Sequence, residues 1–114
     1  MVYLTIMLPV MSWKLKEAFS YIMLTLGISL DHISTEIGLR NPNIYETNPL
    51  ALMLMKNNVW WAFDITLIIS FCICTHYIIK VYYPKKQWLV FLPLLTGVFR
   101  FSIGIYNILL FMSV

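Results

Sequence analysis

The sequence predicts an all-α integral membrane protein, a bundle of three transmembrane helices with a short interfacial or re-entrant helix between the first and second. Three observations predict it. Charged residues are only 11% of the chain and apolar residues 61%, where a soluble domain carries about 25% charged residues. Residues 18–39, 59–79 and 88–113 are long apolar stretches, each able as a helix to cross a hydrocarbon core of roughly 30 Å. The connection between the first two contains an apolar run, PLALMLMK, that is too short to span. A soluble globular enzyme, a disordered chain and a secreted disulfide scaffold are all excluded.

Residues 1–13, MVYLTIMLPVMSW, are apolar, interrupted by Pro9, and lack the basic start and small-residue cleavage site of a signal peptide. They read as an interfacial segment, with Met1 and Met11 both open as the start of translation. The first helix is predicted from about 14 to 39, with Ser12 as N-cap and RNPN as its stop. Residues 40–58 form a loop with two Asn-Pro pairs, the second of which (Asn48-Pro49) reads as an N-cap followed by proline at the first helical position. The helix it opens should lie on or dip into the interface. The remaining helices are predicted at about 59–82 and 86–112, joined by the tight turn YYPKKQ. Trp60 and Trp61 mark one interface; Tyr82, Tyr83 and Trp88 mark the other. Residues 1–114 read as one domain.

The net charge of +3 does not point to nucleic acid, because the basic residues are scattered at the ends of apolar segments. Lys14, Lys16, Lys80, Lys85 and Lys86 fall on one side, Arg40 and Lys56 on the other. The positive-inside rule therefore predicts a multi-pass protein of the cell membrane with a cytoplasmic N-terminus, and with loop 40–58 and the C-terminus outside. Cys72 and Cys74 sit about 200° apart on one helix and cannot pair with each other there.

Ionisable groups inside a spanning helix are costly, which makes each a candidate site residue. Asp31, Asp64 and Arg100 are the three. At 1.5 Å per residue, Asp31 lies about 10–13 Å below the outer end of its helix, Asp64 about 8 Å and Asn107 about 10 Å. Arg100 is one heptad deeper and able to snorkel upward. All four can meet beneath the loop carrying Glu46 and Asn48, with Thr35 beside Asp31. Spacing supports a common centre. Ser20, Gly27, Asp31, Ser34, Thr35 and Gly38 form one small, polar stripe, and Gly97, Arg100, Gly104 and Asn107 form another.

Two readings follow. In one, Asp31 and Arg100 are an ion pair that sets helix register. In the other, Asp31, Thr35, Glu46, Asn48, Asp64 and Asn107 line a pocket open to the outside, whose surplus of carboxylates over Arg100 calls for a proton, a cation or a partner's basic group. Cys72 and His76 share a face at a spacing that suits a soft metal, but two ligands do not make a site. His32 and His76 are about 13 Å apart along the membrane normal, too far to ligate one haem. His32, Glu36 and Arg40 read as a hydrogen-bonded row along the first helix. No cofactor is expected, and no catalytic motif of known mechanics is present.

With Asp31-x-x-x-Thr35-x-x-Gly38-Leu39 and then Glu46-x-Asn48-Pro49-Leu50, the sequence resembles an uncharacterised family of small prokaryotic membrane proteins, a domain of unknown function. The resemblance covers the chain from about 20 to 110. It implies three or four short spanning helices, with an aspartate and a threonine in the first and a Glu-x-Asn-Pro element after it. Asn107 is similar to a polar position in the family's last helix. The resemblance implies a lysine in the middle helix; this chain departs from it with Asp64. The family brings a site and no activity.

The first expectation for function is a non-catalytic accessory or scaffold subunit of a larger membrane complex, such as a respiratory or monooxygenase-type assembly or a transporter. The alternative is an outward-facing binding protein or enzyme for a cation, a lipid head group or a small molecule. The expected partners are the lipid bilayer and other membrane subunits, or further copies of the chain.

Overall fold

A computed structural model describes residues 13–82 and 85–113, and these are helical throughout apart from the connections. We label the helices α1 (Trp13–Gly38), α2 (Pro49–Lys56), α3 (Trp60–Tyr82) and α4 (Phe91–Ser113), the last preceded by a 3-10 turn, Gln87–Val90. Of the expected interfacial segment 1–13, residues 1–12, with the Ser12 cap and both candidate start sites, lie outside the described residues, and Trp13 instead opens α1.

The final helix was expected to begin as an α-helix near Lys86, and here the structure differs. Pro93 has no N–H and is tolerated only in the first turn of an α-helix. Accordingly α4 starts two residues before it, at Phe91, and the chain enters through the tighter 3-10 turn.

α2 is bounded by its own caps. Asn48 Oδ1 accepts from the Leu50 N–H, and Pro49 opens the helix. At the other end Asn58 adopts a left-handed backbone with φ 58°. Its N–H donates to Met55 O, and the Val59 N–H donates to Leu54 O. This is a Schellman closure with asparagine in the place usually taken by glycine. It turns the chain straight into α3.

Packing is uneven. α1 lies along α4 over most of its length, whereas α3 touches both sparingly. The α1–α4 seam is built on glycine: a Cβ on Gly27 would run into the Gly97 backbone, and one on Gly97 into the backbone of Met23 and Leu24. A Cβ on Gly104 would meet the Leu30 side chain at 2.7 Å and the Asp31 backbone at 3.0 Å. Gly38 shares the stripe, but a Cβ there would meet nothing within 4 Å. The buried apolar core is small: Leu24, Ile28, Ile79, Val90 and Leu94.

α3 and the segment Gln87–Ser113 are each long and apolar enough to cross a membrane, at 23 and 27 residues. α1 is as long, 26 residues, but its charged and hydroxyl side chains make it less apolar. Two histidine–carboxylate bonds join α3 to α1. His32 Nδ1 donates to Asp64 Oδ2 near one end, and His76 Nδ1 donates to Glu17 Oε2 at 2.9 Å near the other.

Candidate functional site: a charged cavity between the helices

Asp31 and Arg100 project from the two helices of the glycine seam. The close backbones bring the guanidinium Nε onto Asp31 Oδ2 as an ion pair. Arg100 Nη2 also lies 3.6 Å from Asp64 Oδ1, so one guanidinium links carboxylates from α1 and α3. Asp64 Oδ2 is in turn 2.5 Å from His32 Nδ1. On the far side of Asp31, Asn107 Nδ2 donates to Thr35 Oγ1 at 2.9 Å and approaches Ser34 Oγ at 3.2 Å. Both hydroxyls donate to the Asp31 carbonyl oxygen one turn back, Thr35 at 2.7 Å and Ser34 at 3.1 Å. They can therefore accept from Asn107, and the Thr35 hydroxyl also lies 3.4 Å from Asp31 Oδ1.

These groups line a cavity of about 570 Å³ between α1, α3, α4 and the loop. Asp31, Thr35 and Asp64 lie on its walls with Arg100 and Asn107, and the loop contributes Glu46 and Asn48. All seven sequence-derived candidates thus border one space. Glu46 Oε1 accepts from the Asn48 N–H, which ties the two loop residues together at the surface.

His32 was not among those candidates, and its assignment to a row with Glu36 and Arg40 is corrected. It is 1% exposed, bonded to Asp64, and its ring lies 3.6 Å from Trp60 and 3.7 Å from Trp61, centroid to centroid. The readable signal was its place in the row Leu24–Ile28–His32 on the core face, where a polar ring must find a partner. Trp60 and Trp61, read as interface markers, pack on that ring. Of the weak metal candidates, His76 is bonded to Glu17 and Cys72 carries a free thiol. Among the described residues, no group of three His, Cys, Asp or Glu side chains could hold a metal ion.

The arrangement defines a small helical protein with two helices long and apolar enough to cross a membrane and a charged cluster held between its helices. The chain belongs to the family described as Domain of unknown function (DUF5658), which it matches over residues 21–113. None of the curated proteins and none of the solved structures matches it.

Proposed function

We propose that this is a three-span membrane protein whose polar cavity binds a small polar molecule or lipid head group on the outer side. The supporting observation is that three carboxylates, one guanidinium and the amides of Asn48 and Asn107 border one cavity about 570 Å³ in volume, the size of small-molecule sites, roughly 300–1,000 Å³. A pair that only set register would have no need of an open space beside it.

Lipid surroundings suit the surface. Ile73, Leu95, Phe99 and Met112 are each more than half exposed on α3 and α4, and an apolar exterior of this kind is stable in hydrocarbon. α1 serves as the third span because Asp31, Ser34 and Thr35 face the cavity and α4 while Glu17 and His32 are bonded to α3. The excess of Lys and Arg puts the N-terminus and the α3–α4 turn in the cytoplasm.

The accessory-subunit reading is the competitor, and the sparse packing of α3 favours it, since a partner helix could complete the bundle. Native mass spectrometry of the gently extracted protein separates the two. A small molecule or lipid retained by the chain, and lost in Thr35→Val with helicity unchanged, supports the binding protein. Stoichiometric larger membrane subunits and no retained molecule would replace it with the accessory role.

A further inference from the structure

We propose that the cavity takes a small organic ammonium group, an inference that rests on the cavity being a binding site. Charge comes first. Asp31, Glu46 and Asp64 line it against Arg100, with no lysine on the walls. That leaves a surplus of two negative charges, of which His32, behind Asp64, can offset at most one. The charge of Arg100 is already matched by Asp31 and Asp64, and among the described wall residues no second cation favours a phosphate or carboxylate. Glu46 has one carboxylate oxygen on the Asn48 N–H, and among the described residues no hydrogen bond holds the other.

The walls settle which kind of cation. Tyr45, Trp60, Phe63 and Tyr106 border the same space. Aromatic faces attract an organic ammonium, whose hydration shell is weak, and the carboxylates neutralise it. A strongly hydrated metal ion needs several converging oxygen ligands, and among the described residues no three His, Cys, Asp or Glu side chains are grouped to hold one. The volume, about 570 Å³, likewise exceeds what a bare ion fills. The ammonium can belong to a free amine or to the head group of a zwitterionic lipid.

The test uses the full chain in maltoside micelles, which carry no ammonium, with tryptophan fluorescence as the readout because Trp60 lines the cavity. It is titrated with choline, with the neutral carbon isostere 3,3-dimethylbutanol, and with inorganic phosphate. Choline should bind saturably and at least about tenfold more tightly than the isostere, while phosphate gives no response. Glu46→Gln, on the exposed loop and still able to accept from the Asn48 N–H, should weaken choline about threefold or more and leave the isostere unchanged. An isostere as tight as choline, or saturable phosphate binding, overturns the ammonium class and leaves the cavity as a site. No saturable response to any probe by a protein of native helicity overturns both readings. Repetition in phosphatidylcholine nanodiscs assigns the source. Loss of the response to free choline there supports a lipid head group, and an unchanged response supports a free amine.

Discussion

Gly27→Ala should separate the two helices that carry the ion pair. A Cβ at this position would lie 2.8 Å from the Gly97 carbonyl carbon and 3.0 Å from its Cα. Carbon atoms pack at about 3.5–4.0 Å, so α1 and α4 must move apart by roughly 1 Å. A gap of that size forfeits a quarter to a half of each dispersion well it opens, and overpacking typically costs about 1–3 kcal/mol. Alanine returns up to about 1 kcal/mol through its better helix propensity. The Gly97 carbonyl oxygen lies closer still to the added Cβ, which sets the cost at the upper end of that range and the expected net loss at about 2 kcal/mol. Gly38→Ala is the control, since it makes the same propensity change with nothing within 4 Å of the new methyl. It should be neutral or stabilising by up to about 1 kcal/mol. Unfolding in mixed micelles by added dodecyl sulfate, followed by far-UV circular dichroism, measures both. If Gly27→Ala is as stable as Gly38→Ala, the close seam is not what holds α1 to α4.

Arg100→Met should destabilise by about 3 kcal/mol because it leaves Asp31 desolvated without its partner, and Asp31→Leu should cost less because Arg100 keeps Asp64 nearby. The double variant should recover part of that loss in the same unfolding assay; if it is no better than the worse single variant, the pair is not coupled. His32→Ala, at a residue 1% exposed, should cost about 3 kcal/mol or more by stranding Asp64 and emptying the space beside Trp60. His76→Ala should cost no more than about 1 kcal/mol, since its side chain is 59% exposed and water screens its bond to Glu17; equal losses at the two histidines would contradict the burial contrast. Asn58→Gly should be neutral or slightly stabilising and Asn58→Val should cost about 1–2 kcal/mol, because a β-branched residue resists φ 58°. Thermal unfolding of the two variants side by side checks this.

The helices and the α1–α4 half of the cluster were legible because they rest on spacing. Asp31, Thr35 and Gly27 repeat at three and four residues, as do Gly97, Arg100, Gly104 and Asn107. Two such stripes in an apolar chain have few ways to be satisfied except against each other. α3 was harder to read. Apart from Asp64, Thr75 and Ile79 it buries almost nothing, so no stripe records which way it faces. His32 escaped for a related reason: Glu36 and Arg40 on its own helix offered an obvious local row, and its true partner lies 32 residues away. The 3-10 entry to α4 was visible in principle, since Pro93 limits how early an α-helix can begin.

The two histidine–carboxylate bonds also act as a key with a fixed orientation. α1 supplies the carboxylate at one end, Glu17, and the imidazole at the other, His32; α3 answers with His76 and Asp64. Were α3 to lie against the same surface the other way up, Asp64 would meet Glu17 and His76 would meet His32, like against like at both ends. A slide of one turn, about 5.4 Å, would break both bonds together. A helix with little packing to recommend one pose over another is thereby told which end is which, and the carboxylate it brings to the cavity arrives on the side where Arg100 waits.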